Sequence, residues 1–164
     1  MDLITLQRIQ QAHPKIRTEL NQVYNEICIA LSGRAICRFA FVLRTFAEQT
    51  ALYNKRPKVT NAKAGQSFHN YGLAVDIVLI IDGKEISYNM LKDYDGDRMA
   101  DWMECVAIFK KHGYEWGGDW KKLKDNLNIP FALHAPHSAL GINLSDAQKE
   151  KENIQQKEER RATR

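Results

Sequence analysis

The stretch SFHNYGLAVDIVLII, residues 67–81, decides the fold of this chain. Its second part, from Leu73 to Ile81, is a nearly continuous apolar run that only Asp76 interrupts. The length of the run and its Val and Ile content favour a buried β-strand. A carboxylate inside such a strand must be paired, hydrogen-bonded or bound to a metal, because an isolated buried charge costs several kcal/mol.

His69 precedes Asp76 by seven residues, and Gly72 lies between them. Because the chain can turn at Gly72, the imidazole can come to lie beside the carboxylate. An imidazole and a carboxylate, with a third nitrogen or oxygen ligand and an open position, describe a catalytic zinc site. The residues alone leave a second interpretation open, in which Asp76 caps its own turn and His69 is a surface residue.

Helical and strand patterns precede this stretch. Apolar residues at helical spacing predict two helices within residues 3–31, the second beginning near Pro14 and closed by Ser32-Gly33. A strand, a short helix and a surface loop are then predicted over residues 35–43, 45–53 and 54–66.

A hairpin and one more helix follow the stretch. Asp82-Gly83 is a tight-turn signal, so Lys84–Tyr88 can pair back on the buried strand. Trp102–His112 is predicted as a helix ended by Gly113, and the pattern from Trp116 to Gly141 is irregular. The predicted fold class is therefore α+β, with a small antiparallel sheet flanked by helices. We expect a single domain over residues 1–144 and a charged tail, helical or frayed, over residues 145–164.

Composition excludes several classes of protein. The chain has 164 residues and a net charge of +4, which suits one domain but falls short of a dedicated nucleic-acid-binding arm. This mild basicity would suit an anionic polymer. Three cysteines predict free thiols in a reducing compartment. The amino terminus lacks a signal-peptide pattern, and no apolar run has membrane-spanning length. We therefore expect a monomer made in the cytoplasm, with no nucleic-acid partner and no membrane span.

The acidic segment from Asp93 to Glu104 superficially resembles a calcium loop, with Glu104 at the twelfth place. Its glycine, Gly96, occupies the fourth place, whereas an EF-hand loop has glycine at the sixth. From the sequence we therefore expect a solvated acidic loop.

Five fixed positions of an SxHxxGxAxD pattern are all present, as Ser67, His69, Gly72, Ala74 and Asp76. The segment resembles the signature of the zinc peptidases that cleave peptidoglycan stem peptides. That family includes D-alanyl-D-alanine carboxypeptidases, the dipeptidases of vancomycin resistance and L-alanyl-D-glutamate peptidases used as endolysins. Two further stretches, LRTFAEQTALY and YEWGGDW at residues 43–53 and 114–120, are similar to the L-alanyl-D-glutamate branch. The resemblance implies the zinc-peptidase fold of the D-Ala-D-Ala carboxypeptidase and hedgehog type.

The resemblance also implies roles for individual residues. His69 and Asp76 would bind Zn²⁺, and Arg44 would lie in the cleft, where its guanidinium suits a substrate carboxylate or a polarised oxygen. A salt bridge from Arg44 to Glu48 is the alternative for that arginine. Four residues are implied in substrate binding or in support of the ligands: Ser67, Glu48, Trp116 and Asp119.

The third zinc ligand is where this chain departs from the family pattern. Without a gap, Asp125 falls on the general base, but Asn128 falls where a histidine is expected, and Asn is a poor zinc ligand. With an insertion, Pro136-His137 supplies the histidine and His134 falls where the carboxylate is expected. We predict His137 as the ligand and Asp125 as the catalytic base, with His134 competing for both roles.

These implications favour a zinc metallopeptidase that hydrolyses peptidoglycan stem peptides at the L-alanyl-D-glutamate bond. Without an export signal, it would act on the cell wall after release by another factor, as a phage or prophage endolysin does. Two alternatives remain, a D,D-carboxypeptidase and a catalytically impaired wall-binding relative, the second because of Asn128.

Overall fold

The computed structural model describes residues 1–120 and 132–135. The α-helices in this part of the chain are α1 (Leu3–Gln11), α2 (Pro14–Ala30), α3 (Phe46–Asn54) and α4 (Asp101–Lys111). The strands are β1 (Ala35–Phe41), β2 (Ala74–Ile81), β3 (Glu85–Ser87), β4 (Glu115–Trp116) and β5 (Ala132–His134). Two short 3₁₀ helices, Phe68–Tyr71 and Gly117–Asp119, precede β2 and follow β4.

The strands form one sheet with β2 at its centre, and all the described strand pairs are antiparallel. The strand order is β1-β2-β5-β4, and β3 pairs with the carboxyl-terminal part of β2. Every residue of β2 is buried except Asp76, which is partly buried. This explains why β2 reads as a continuous apolar run rather than as an alternating one. The predicted α+β class with a small antiparallel sheet is confirmed.

The core lies between the sheet and the helices. Aromatic rings connect the layers, since Tyr24 of α2 meets Phe39 of β1 edge-on at 5.4 Å between ring centroids. Phe39 in turn lies 5.7 Å from Phe109 of α4. The largest fully buried side chains around these rings are Ile9, Ile16, Leu20, Ile27, Ile77, Leu79, Trp102 and Leu133. Burial at helical spacing along α1, α2 and α4 is therefore what holds the sheet in place.

Most of the predicted elements are present, but the end of α2 differs from the prediction. Ser32-Gly33 does not close α2, because the helix ends at Ala30 with Leu31 in an extended conformation as its C-cap. Gly33 instead allows a close approach, since a Cβ atom there would lie 2.4 Å from the Cβ atom of Asp95. The segment after Trp116, predicted as irregular, contains the short strand β5.

Residues 121–131 and 136–164 lie outside the described part of the chain. Asp125, Asn128 and His137 belong to these segments, as does the charged tail predicted over 145–164. Within the described residues, no helix has the length and apolar character needed to cross a membrane. The three cysteines, Cys28, Cys37 and Cys105, are free thiols, as predicted.

Candidate active site

Contacts with the backbone fix His69 in the 3₁₀ helix that precedes β2. Its Nδ1 atom lies 3.0 Å from the carbonyl oxygen of Val42, and its own carbonyl accepts a hydrogen bond from Arg44 N at 2.9 Å. The residue is 5% exposed, so the interpretation of His69 as a surface residue is wrong. A carbonyl can only accept a hydrogen bond, so Nδ1 is the donor in this contact and Nε2 is the ring nitrogen that can bind a metal.

Gly72 ends the 3₁₀ helix and turns the chain into β2. Its φ of 65° lies in the left-handed region, and its carbonyl accepts a hydrogen bond from His13 N at 2.9 Å. A Cβ atom at this position would lie 2.8 Å from His13 N and 2.9 Å from Gln11 O. Both the conformation and the close approach of the α1–α2 connection require glycine here.

Asp76 is the third residue of β2 and faces His69. Its Oδ1 atom lies 3.3 Å from His69 Nε2, and its side chain is 20% exposed. It pairs with Phe41 of β1 where the register shifts between Phe39 and Phe41, a bulge of the kind that re-aims side chains near functional sites. The interpretation in which Asp76 caps its own turn is therefore wrong.

Arg44 lies on the other side of the Asp76 carboxylate. One terminal nitrogen, NH2, lies 3.9 Å from Asp76 Oδ2, and NH1 donates a hydrogen bond to Gln49 Oε1 at 3.0 Å. Gln49 is fully buried, and its Nε2 donates to the carbonyl of Ala62 at 2.7 Å. The guanidinium is therefore held between a buried amide and the carboxylate, with its side chain 19% exposed.

Glu48 takes part in a capping box at the start of α3 rather than in an ion pair with Arg44. Its Oε2 accepts hydrogen bonds from the backbone N–H and the hydroxyl of Thr45, both at 2.8 Å. Thr45 Oγ1 in turn accepts from Glu48 N at 3.2 Å. The backbone hydrogen bond from Thr45, followed by the one from its hydroxyl, lowers the pKa of the Glu48 carboxyl. This box fixes where α3 begins, directly after Arg44.

Asn70 is a buried residue of the site that the sequence reasoning did not single out. Its Nδ2 donates to the carbonyl of Arg44 at 2.9 Å, and its Oδ1 accepts from Gly65 N at 3.0 Å. Asn70 thus ties the loop before the 3₁₀ helix to the segment that carries Arg44. The feature of the sequence that could have identified Asn70 is its position beside His69 in a segment that precedes a buried strand.

His134 lies on β5, on the same face of the sheet as Asp76. Ala74 pairs with His134 and Asp76 with Ala132, so His134 is a diagonal neighbour of Asp76. Its ring stacks on Phe68 at 4.5 Å and meets Trp120 edge-on at 4.6 Å between centroids. This placement leaves His134 close to the candidate site but packed between two aromatic rings.

Three other residues implied by the family pattern are described by their local contacts. Asp119 forms a 2.7 Å ion pair with Lys110 of α4, and its side chain is 52% exposed. The indole of Trp116 covers Gly118, where a Cβ atom would lie 2.3 Å from a ring carbon. Ser67 is the N-cap of the 3₁₀ helix, without a side-chain capping hydrogen bond.

The donor set fits zinc in type. A histidine that ligates a metal through one nitrogen commonly donates its other N–H to a backbone carbonyl, as His69 does to Val42. Nitrogen and carboxylate oxygen are both ordinary zinc ligands. In residues 1–120 and 132–135, no third His, Cys, Asp or Glu atom lies within 4.8 Å of both donors. A complete site thus needs a further ligand.

Comparisons with known proteins support the resemblance read from the sequence. Residues 60–127 match a family model described as D-alanyl-D-alanine carboxypeptidase. The chain is 47% identical over 89 residues to the peptidoglycan L-alanyl-D-glutamate endopeptidase CwlK of Bacillus subtilis (strain 168), covering 50% of this chain and 52% of that protein. It is 32% identical over 89 residues to the L-alanyl-D-glutamate peptidase of Listeria phage A118, covering 54% of this chain and 28% of that protein.

The matched region thus spans about half of the Bacillus protein and a smaller part of the phage protein. His69, Asp76 and Gly72 all lie inside the segment matched by the family model. The predicted resemblance to the zinc peptidases of peptidoglycan is confirmed.

Proposed function

We propose that this chain is a zinc metallopeptidase that hydrolyses peptidoglycan stem peptides at the L-alanyl-D-glutamate bond. The observation that carries the proposal is the orientation of His69, whose Nδ1 faces Val42 O at 3.0 Å while Nε2 faces Asp76 at 3.3 Å. The names of the two relatives support the choice of bond. The substrate would then be the peptidoglycan of the cell wall, as the name of the Bacillus relative suggests.

In this mechanism the side chains of His69 and Asp76, which lie 3.3 Å apart, would hold the zinc ion together with a further ligand. The bound ion would supply Lewis-acid polarisation of the scissile carbonyl and lower the pKa of a water molecule to about 7. Val42 O keeps the imidazole in the tautomer that offers Nε2 to the metal. Arg44 NH2, beside the other carboxylate oxygen of Asp76, orients that carboxylate and leaves Oδ1 directed at His69.

Arg44 has a second role, towards the substrate. Its guanidinium is a planar fork, and Gln49 fixes one terminal nitrogen of that fork. The remaining donors suit a substrate carboxylate or the oxygen that becomes negative as the amide is attacked. The stem peptide is rich in carboxylates, so a preoriented arginine also serves binding.

We assign the third ligand to His137 and the general base to Asp125. The base would take the proton from the attacking water and deliver it to the nitrogen of the leaving amine. His134 remains the competitor for either role, since the pairing of β5 with β2 puts it on the same face as Asp76. Its packing against Phe68 and Trp120 favours instead a wall of the cleft.

Digestion of purified peptidoglycan tests the proposal. The zinc-loaded protein is incubated with wall material, with and without a zinc chelator, and the products are identified by mass spectrometry. We expect new amino-terminal glutamate residues and carboxyl-terminal alanine, and loss of both with the chelator. No new amino termini, or cleavage that the chelator leaves unchanged, would contradict the proposal.

The same products distinguish the proposed activity from a second candidate function, that of a D,D-carboxypeptidase. The family model described as D-alanyl-D-alanine carboxypeptidase favours release of the terminal residue. A D,D-carboxypeptidase would release free D-alanine and leave the L-alanyl-D-glutamate bond intact. A catalytically impaired relative, suggested by Asn128, would bind wall fragments without either product.

A further inference from the structure

A cluster of five carboxylates, distant in sequence from the His69–Asp76 pair, spans the loop between β3 and α4 and the first turn of α4. Asp93, Asp95, Asp97, Asp101 and Glu104 fall within twelve residues that contain one basic residue, Arg98. Oxygens of Asp93, Asp95 and Asp101 lie within 4.8 Å of one another, and so do those of Asp95, Asp97 and Glu104. Asp95 thus joins the two groups into one cluster.

Two of these carboxylates are buried and carry an unsatisfied oxygen. Asp101 is fully buried and Glu104 is 8% exposed. Asp101 Oδ2 and Glu104 Oε2 have no hydrogen-bond partner in the part of the chain that the structure describes. Leaving a buried carboxylate oxygen without a partner is costly, so each needs a positive group or a donor. The expectation of a solvated acidic loop is therefore wrong for these two residues.

No basic side chain neutralises the cluster. Within residues 1–120 and 132–135, none of the five carboxylates forms an ion pair with a lysine, arginine or histidine. Burial raises the pKa of the Asp101 carboxyl, and burial followed by the charges of Asp97 and Asp95 raises that of Glu104. Like charges packed together in this way favour either protonation or a bound cation, and a cation can contact several of the carboxylates at once.

Backbone N–H groups of the loop donate hydrogen bonds to the other three carboxylates, including the one from Asp97 N to Asp95 Oδ1 at 3.2 Å. Asp93 Oδ1 accepts from Asp95 N and Gly96 N at 3.1 and 2.6 Å, and its Oδ2 accepts from Arg98 N at 3.0 Å. One oxygen of Asp97 accepts from Met99 N at 2.7 Å. Asp93 Oδ2 and this oxygen of Asp97 each accept one of these bonds, so each keeps a lone pair for a further contact.

The order of the residues agrees with a calcium loop once the backbone is known. Counted from Asp93, the carboxylates stand at places one, three, five, nine and twelve, which are side-chain ligand positions of the EF-hand loop. The sharp turn at place six, which glycine makes in that loop, is made here by Arg98 with a φ of 80°. The absence of glycine at place six therefore does not prevent the turn, contrary to the argument from sequence.

We propose that the loop from Asp93 to Glu104 binds one Ca²⁺ ion, at a site separate from the zinc centre. Five carboxylates on a loop exceed what Mg²⁺ uses, because Mg²⁺ keeps several of its waters, whereas Ca²⁺ takes six to eight oxygen ligands in flexible geometry. The ion would neutralise the carboxylates at the start of α4. Because Asp95 Oδ2 also accepts from Ser32 N at 3.2 Å, the ion would strengthen the attachment of the loop to the α2–β1 connection.

Terbium luminescence on the zinc-loaded protein tests this site. Tb³⁺ replaces Ca²⁺ at oxygen sites and is excited by a nearby indole, and Trp102 directly follows Asp101 in the chain. We expect a saturable signal that Ca²⁺ displaces at lower concentration than Mg²⁺ does. Absence of a saturable signal, or displacement by Mg²⁺ at the same or lower concentration, would overturn the proposal.

Variants test whether the Tb³⁺ signal comes from this cluster rather than from other acidic residues at the surface. Asp101→Asn with Glu104→Gln is expected to abolish the saturable signal, and Asp97→Asn, at an exposed position, to weaken it about tenfold. Glu85→Gln removes one carboxylate charge, as Asp97→Asn does, at an exposed residue of β3 and should leave the signal unchanged. Circular dichroism checks that each variant is folded. A double variant that keeps the half-saturation concentration of the unmodified protein would contradict the assignment.

The calcium proposal and the zinc proposal can be tested independently of each other. His69→Ala removes a proposed zinc ligand but lies outside the loop, so it should leave Tb³⁺ binding intact. The unmodified protein should also gain thermal stability on addition of Ca²⁺, because the ion binds only the folded loop. The Asp101→Asn, Glu104→Gln variant should show no such gain, and an equal gain in both would count against the site.

Discussion

At the scale of single residues, the candidate site depends on backbone groups that orient side chains. The carbonyl of Val42 selects the tautomer of His69, and Gly72 lets the chain turn so that Asp76 can face the imidazole. Gln49 holds the guanidinium of Arg44 in a similar way. None of these supporting groups takes part in the reaction itself. Each restricts the position of a side chain to which we assign a role in the reaction.

Substitution of Gly72 tests the turn. Gly72→Ala should lower the free energy of unfolding by about 2–4 kcal/mol, because alanine is strained at positive φ and its Cβ would collide with backbone atoms. Gly83→Ala is the matched control, since Gly83 also has a positive φ of 70° but nothing lies within 4 Å of an added Cβ. That variant should lose only about 1 kcal/mol. Urea denaturation measures both, and equal losses would contradict the close approach at Gly72.

Arg44 offers a test of side-chain geometry. Arg44→Lys keeps the charge but removes the planar fork that Gln49 and Asp76 hold, so kcat/KM on stem peptides should fall about 10- to 100-fold. Arg34→Lys, in an exposed pair with Asp82, is the control and should leave kcat/KM unchanged. A lysine variant with full activity would show that the fork is not used.

At the scale of elements, short segments position the site and the long helices supply the core. The capping box of Thr45 and Glu48 starts α3 directly after Arg44, and the bulge in β1 lies opposite Asp76. The loop between β3 and α4 works in the same manner, because its hydrogen bonds bring carboxylates together at the first turn of α4.

The acidic loop predicts a pH dependence of stability in metal-free buffer. The pKa values of Asp101 and Glu104 are raised above their ordinary values of 3.8 and 4.5, mainly by burial. The folded state thus holds protons more tightly than the unfolded state does. Their contribution to stability is complete below these ordinary values and is lost as the pH rises through the raised pKa values.

The difference between two proteins isolates this contribution from that of other carboxyls, such as Glu48, whose pKa is lowered and whose effect has the opposite sign. On raising the pH from about 4 to 7, the unmodified protein should lose stability relative to the Asp101→Asn, Glu104→Gln variant. Thermal unfolding at each pH measures this. Parallel curves for the two proteins would mean that the buried carboxylates do not titrate as described.

At the scale of the whole molecule, the sequence predicts those elements whose burial pattern is local. The apolar run of β2 and the helical spacing of α1 and α2 gave strands and helices within a few residues of those observed. Gly33 was misassigned because a glycine after a helix is an ordinary C-cap, whereas here a distant loop packs on it. The strand β5 has three residues, too few for a periodic signal, and only pairing with β2 defines it.

The same distinction between local patterns and long-range contacts applies to the candidate site. The motif around His69 and Asp76 could be recognised in the sequence because all five fixed positions of the family signature are present, whereas the spacing of the two residues alone left a second interpretation open. The contributions of Gln49 and Asn70 could not, since their hydrogen bonds join segments that are distant along the chain. The burial of Asp101 and Glu104 was missed for a related reason, because it depends on how α4 packs rather than on the acidic pattern.

The zinc content of purified protein tests the central claim most directly, namely that His69 and Asp76 form part of one metal centre. After zinc loading and removal of free metal, elemental analysis of the unmodified protein should give about one zinc per chain. His69→Ala should lose nearly all of it, while Glu85→Gln should keep it. A His69→Ala protein that is folded and still holds stoichiometric zinc would contradict the account.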